Sequence, residues 1–148
     1  MDLSKLKWPL IVAAIAGIIW LTTDPGVDYL YRRYSGDPGG DPERAERNEA
    51  ALSRLAGFLM ATLRFQRAEY VLEDVLHMYP EGKNGTYNLY RLSRVKGKLH
   101  KYEEAVKILD ALVEQNAHAI DERVPENSVL QYRRTTLVEV HDLHEMRQ

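Results

Sequence analysis

The chain has 148 residues, a net charge of −2 and no cysteine. That length holds one domain plus an anchoring segment, and the balanced charge supplies no global basic field for nucleic acid. The missing thiols exclude disulfides, thiolate zinc sites and a cysteine nucleophile.

The first element is apolar. Residues 8–23 carry no charge and are bounded by Lys7 and Asp24. This predicts an N-terminal transmembrane helix within residues 1–23, slightly short of the roughly 20 residues a span requires. Trp8 and Trp20 mark its two interfaces, and Lys7 can snorkel. Tyr29, Tyr31, Arg32 and Arg33 complete the membrane-interface set, resting at the headgroups or packing under the domain. Two other readings compete. A cleaved signal peptide lacks a small-x-small site before Asp24, and a buried helix of a soluble fold has similar composition. Lys5 and Lys7 precede the segment while Asp24 and Asp28 follow it, which sets the N-terminus inside; Arg32 and Arg33 oppose that bias. The expectation is a single-pass protein, in a bacterium one of the inner membrane, with its C-terminal domain in the periplasm.

Residues 24–41 form a juxtamembrane linker punctuated by Asp24-Pro25-Gly26, Asp37-Pro38-Gly39-Gly40 and Asp41-Pro42, all turn signals. Val27 to Tyr34 is a short helix or an extended piece. Asp41 followed by Pro42 and Glu43 reads as a helix start. The acidic residues lack the spacing of a calcium loop.

From residue 42 onward Leu, Ala, Glu, Arg and Lys dominate, so the expected class is all-α. Four helices are predicted from apolar periodicity. The first spans 42–62 with Leu52, Leu55, Ala56, Leu59 and Leu63. The second spans 65–79 with Ala68, Leu72, Val75, Leu76 and Tyr79, and Pro80 and Gly82 stop it. The third spans 86–98 with Leu89, Leu92, Val95 and Leu99. The fourth spans 101–118 with Tyr102, Ala105, Leu109, Leu112 and Val113. A fifth, over 127–146, carries Val129, Tyr132, Thr136, Val140 and Leu143, widened by Leu130 and Leu137.

The pattern recurs. Phe65–Glu69 aligns with Tyr102–Val106, and Leu72 and Val75 align with Leu109 and Leu112. Ala68 and Ala105 are small where two helices must approach closely. On these residues the chain resembles the tetratricopeptide repeat family. Leu52, Leu55, Ala56, Leu59, Phe65, Ala68, Leu72, Val75 and Pro80 take the signature places of one repeat. Leu89, Leu92, Ser93, Leu99, Tyr102, Ala105, Leu109 and Leu112 take those of the next. There are departures: the usual large aromatic is Leu52 and then Leu89, and Lys96 stands where tyrosine is common. The two alanines lie 37 residues apart (68 to 105), against roughly 34 in a regular repeat, which points to an insertion at Glu81–Gly85. The resemblance implies a short α-solenoid over 42–148, with repeats at about 49–82 and 86–119 and a capping helix at about 127–146. That last helix serves as a cap or as half of a repeat completed by a partner. An ordinary helical bundle has the same periodicity.

Such a stack presents a concave face from the first helix of each pair, and the resemblance implies that this face binds other proteins. Off the core stripe of the third helix lie Tyr87, Tyr90, Arg91, Arg94 and Lys98, which with Tyr132 form the candidate partner-binding set. The same face of the first helix offers Ala50, Ser53, Arg54, Gly57 and Met60, and the last helix adds Gln131, Arg133 and Arg134. The plain alternative is a solvated helix surface. His141 and His144 are three apart, but two ligands on a terminal helix do not make a metal site. No phosphate loop, nucleophile elbow or acid–base pair is apparent. The expected protein is therefore no enzyme and has no cofactor, metal or small-molecule substrate. Its partners are protein subunits of a membrane complex and the bilayer, with an accessory or assembly role. The alternatives are a purely structural subunit held by its transmembrane helix or, less well supported, an RNA-binding protein that uses the local run Arg91–Lys101.

Overall fold

A computed structural model describes residues 3–143 and Glu145. Among them every regular element is a helix. The chain forms two compact units divided between Asp37 and Pro38.

The first unit holds α1 (Leu3–Thr22) and α2 (Asp24–Tyr34). Most of the expected linker is thus a helix, because Pro25 sits in its first turn where no N–H is needed, and Arg32 and Arg33 occupy its last turn. Among the described residues no single helix is long and apolar enough to cross a membrane. Lys7–Thr22 and Asp24–Tyr34 reach that length and composition only together, bent by 80°. The apolar side chains of α1 are exposed from Trp8 to Trp20. Tyr29, Arg32 and Arg33 are exposed as well, and Tyr31 is half-buried.

The second unit holds α3 (Pro42–Ala61), α4 (Phe65–Met78), α5 (Gly85–Lys98), α6 (Tyr102–Glu114), α7 (Ala117–Ile120) and α8 (Asn127–Val140). Asp41 caps α3 as its sequence requires, with one carboxylate oxygen accepting from Glu43 N at 3.0 Å and Arg44 N at 3.4 Å. Each helix from α3 to α6 packs on the next, and α6 also packs on α8. The core comprises Leu52, Leu55, Ala56 and Leu59 of α3, Ala68, Val71, Leu72 and Val75 of α4, Leu92 and Val95 of α5, and Ala105, Val106, Leu109 and Leu112 of α6. Ala68 and Ala105 are fully buried at close approaches between helices. The helix expected over 101–118 ends at Glu114, because Asn116 takes a left-handed conformation at φ 51° and α7 starts afresh.

The turns after α3 and α5 are built alike. Leu63 and His100, 37 positions apart (63 to 100), adopt φ 60° and 61°. In the first turn Arg64 N donates to Leu59 O and Leu63 N to Met60 O; in the second, Lys101 N donates to Lys96 O and His100 N to Gly97 O. These bonds close the last carbonyls of each helix in the same way. The offset equals that between Ala68 and Ala105, so two hairpins repeat, turn included. The turn that joins the two hairpins leads into α5. There the buried Glu49 carboxylate accepts from Asn84 N at 2.8 Å, just before the α5 N-terminus. Gly82 leaves room for it, since a Cβ there would collide with that carboxylate.

A second buried charge ties three helices together. Lys96 of α5 places Nζ 2.6 Å from Glu69 and 2.5 Å from Glu73, both of α4, and 2.6 Å from Glu104 of α6. Lys101 adds a further bond to Glu69 at 2.7 Å. Burial pulls the Lys96 ammonium down, but hydrogen bonds to Glu104, Glu69 and Glu73 outweigh it and raise it above the usual lysine value. Burial likewise pushes Glu69 up, and the bonds from Lys101 and Lys96 outweigh that and hold it below the ordinary carboxylate range. The Glu69 contribution is therefore present at neutral pH and is lost as pH falls through its lowered value; that of Lys96 is lost only in strong alkali.

Helix α8 departs from its expected phase and length. It ends at Val140, and its buried stripe is Leu130 and Val138, with Leu137 half-buried. Val129, Tyr132, Thr136 and Val140, read as its core stripe, face outward. Both stripes obey helical spacing; docking on α6 selects the side on which Arg134 meets Asp110.

Leu63 has no side-chain role in the core, being 73% exposed, yet it holds a conformation that favours glycine. Leu63→Gly is expected to stabilise the chain by roughly 0.5–1 kcal/mol, read as a higher midpoint in thermal unfolding. An unchanged or lower midpoint contradicts the turn geometry.

Candidate docking surface

Helix α5 is enclosed by its neighbours, and half of its side chains are buried, including Asn88, Arg91, Ser93 and Lys96. This changes the placement of two expected surface residues. Tyr90 belongs to the core, packed with Leu109, Leu112, Ala117, Val124 and Leu130. Arg91 is only 7% exposed. The periodicity of α5 puts one apolar stripe inward, but packing on more than one side also covers the positions beside that stripe.

The Arg91 guanidinium rests on α3. Its Nη1 donates to Ser53 O at 2.9 Å, Ser53 Oγ at 3.1 Å and Asn88 Oδ1 at 3.1 Å. Ser53 Oγ in turn donates to Asn88 Oδ1 at 2.8 Å. Gly57 opens the space that the guanidinium occupies: a Cβ there would stand 2.5 Å from Arg91 Nη2. The Tyr87 ring lies between two guanidiniums, with Arg91 at 5.2 Å and Arg123 at 4.5 Å from its centroid. Among the described residues no carboxylate pairs with Arg91. Burial lowers its proton affinity, Tyr87 opposes this, and the charges of Arg123 and Arg94 lower it further. By contrast Arg123 is held by Asp121 at 2.6 Å, whose carboxyl its hydrogen bonds keep below the usual range.

Two grooves flank this helix. The first, of about 400 Å³, lies between α3 and α5 and has Gly57, Met60, Phe65 and Tyr87 as walls with Arg91, Arg94 and Lys98 at its charged edge. The second, of about 570 Å³, lies between α5, α6 and α8, where Arg94 and Lys98 recur with Arg133, Tyr132, His100, Tyr102 and His141. Tyr102 stacks on His141, with centroids 3.4 Å apart and planes 8° apart, and its hydroxyl bonds to His100 Nδ1. Arg133 stands 5.5 Å from the Tyr90 centroid. Among the described residues neither groove has a carboxylate in its lining. Arg94, Lys98 and Arg133 form no ion pair with a carboxylate among the described residues, whereas Lys83, Lys96, Lys101, Arg123 and Arg134 do.

The structure thus brings Tyr87, Arg91, Arg94, Lys98 and Tyr132 together around two adjoining grooves and puts Tyr90 beneath them. Of the additional surface residues, Gly57, Met60 and Arg133 line the grooves, Ser53 is buried under Arg91, and Arg134 turns to Asp110. His100, Tyr102, His141 and Phe65 were not expected here. Phe65 and Tyr102 have a sequence signal, since each opens the second helix of its hairpin and so borders the turn. His144 lies outside the described residues. The Glu69, Glu73 and Glu104 carboxylates approach within 4.8 Å of one another, but they converge on the Lys96 ammonium, which fills the place of a cation. No protein-family model, curated protein or solved structure matches this chain.

Arg91 and Arg94 should respond differently to charge reversal. Arg91→Glu turns a carboxylate toward Ser53 O and Asn88 Oδ1 and should cost roughly 3 kcal/mol or more in unfolding free energy. Arg94→Glu, on an exposed side chain, should stay within about 0.5 kcal/mol. Equal midpoints in urea for the two variants would contradict the burial of Arg91.

Proposed function

We propose that the protein is a non-catalytic docking subunit of a membrane complex, with a tetratricopeptide-like second unit that receives an acidic segment of a partner protein along α5. The observation that carries this reading is the pair of adjoining grooves with cationic edges and no carboxylate. In a chain of net charge −2, a carboxylate-free face bearing Arg91, Arg94, Lys98 and Arg133 attracts negative charge selectively. Tyr87 and Tyr132 supply rigid amphipathic contact area, and Arg supplies a planar fork that fits carboxylates. The repeated hairpins and their matching turns support the solenoid likeness, and the arrangement of α5 between two grooves supports a peptide lying across the helices rather than a small substrate.

In the same reading α1 tethers the unit to a bilayer. Its apolar side chains are exposed on every side, a pattern that suits lipid and not water. Its uncharged stretch from Trp8 to Thr22, at about 1.5 Å of rise per residue, is shorter than the hydrocarbon core, and snorkelling by Lys7, Trp20 at the far interface and local thinning make up the difference. Lys5 and Lys7 ahead of its uncharged stretch favour an inner-membrane protein whose second unit faces the periplasm. A tether raises the effective concentration of the partner, so a modest docking affinity suffices.

The test uses the full chain in detergent micelles and a fluorescent Asp/Glu-rich peptide, with its Asn/Gln counterpart as control. The acidic peptide should bind with an affinity that weakens as salt rises, and the neutral one should not. Arg94→Glu, Lys98→Glu and Arg133→Glu together should reduce binding at least tenfold with little change in thermal midpoint. Equal binding of both peptides, or of the triple variant, contradicts the proposal.

A further inference from the structure

The 80° bend between α1 and α2 has a built elbow. Thr23 N and Thr23 Oγ1 both donate to Trp20 O, at 3.0 and 2.5 Å, Thr22 Oγ1 donates to Ile19 O at 2.6 Å, and Val27 N donates to Thr23 O at 2.9 Å. These bonds occupy the carbonyls of Ile19, Trp20 and Thr23 at the corner, which eases its placement at a bilayer boundary. Gly26 lets α2 close on α1, because a Cβ there would overlap the backbone of Trp20 and Leu21. The Trp20 and Tyr29 rings meet with centroids 6.0 Å apart and brace the corner.

Helix α2 is two-sided. Val27, Leu30, Tyr31 and Tyr34 recur at i, i+3, i+4 and i+7 and share one side. Gly26, which abuts α1, borders that stripe, so the apolar side of α2 is the side on which α1 descends. Val27 is buried and the other three are half-buried. Asp28 and Arg32 are turned away from that stripe and are exposed, while Asp24, three residues before Val27, is exposed at the first position of the helix. With four charged residues among its 11, α2 is too polar for the hydrocarbon core.

We propose that α2 is an interfacial helix lying in the plane of the membrane surface, with Leu30, Tyr31 and Tyr34 set into the headgroup boundary and Asp28 and Arg32 turned to water. The proposal rests on the reading of α1 as the anchor. With α1 along the bilayer normal, the elbow lays α2 nearly flat, and its aromatic residues sit at the depth that suits tyrosine. The anchor then fixes direction as well as distance.

The chain has no cysteine, so single spin labels report cleanly. Full-length variants Ile15→Cys, Leu30→Cys, Tyr31→Cys, Asp28→Cys and Arg32→Cys are reconstituted in vesicles of phosphatidylcholine and phosphatidylglycerol. Accessibility to oxygen and to a water-soluble nickel chelate is measured for each. The expected result is oxygen access at Ile15, Leu30 and Tyr31 and several-fold greater nickel access at Asp28 and Arg32. If Ile15 is in lipid while all α2 labels are equally wet, or all equally lipid-exposed, the interfacial helix is wrong and the anchor stands. If Ile15 itself is in water, the anchor fails and the interfacial helix with it.

Discussion

The second unit depends on how one helix carries charge into an interior. Helix α5 is covered on most sides, yet it brings Arg91 and Lys96 inward, and a buried cation is stable only when its donors are satisfied. Lys96 meets three carboxylates from the helices on either side. That arrangement is geometrically demanding, because the glutamates of α4 and α6 must arrive together, and it fixes the register of both hairpins against α5. Arg91 is satisfied differently, by a backbone carbonyl, a hydroxyl and an amide oxygen. These neutral acceptors hold the side chain in position but leave its charge uncompensated.

That difference distinguishes the cations of the interior from those of the grooves. Where a cation serves packing, carboxylates close around it. Along the grooves they are absent among the described residues, and Arg94, Lys98 and Arg133 extend the uncompensated charge from α5 to α8. Gly57 belongs to the same device, since any side chain there would displace the guanidinium that sits over α3. Tyr87, between Arg91 and Arg123, separates the cationic face from the ion pair with Asp121. In the proposed reading, an incoming carboxylate would complete what the fold leaves open.

Much of the architecture was legible because it is local. The Asp41 cap and the small residues at Ala68 and Ala105 each follow from a residue type acting within a few positions of itself. The lining of the two grooves was partly legible in composition, through Tyr87, Arg94, Lys98 and Tyr132. What escaped was the consequence of two-sided packing. A single apolar stripe predicts one buried face, so Tyr90 and Arg91 read as surface, although Lys96 on the stripe between Leu92 and Leu99 was a sign that a charge would need partners inside. Helix α8 offered two stripes of valid spacing, and only its ion pair with Asp110 and the shape of α6 chose between them. The helix over residues 24–34 was obscured by Pro25 and Gly26, which signal turns in isolation and here start a helix and let it close on α1.

The central claim is that the carboxylate-free face of α5 is where a partner docks. The most direct measurement is site-specific photocrosslinking in native membranes, with the photoreactive residue placed singly at Arg94, Tyr132, Lys107 or Tyr29. The account predicts adducts from Arg94 and Tyr132 that map to an acidic stretch of one membrane-complex protein, and none from Lys107, which is exposed but outside both grooves. Adducts confined to Lys107 or Tyr29 would contradict it.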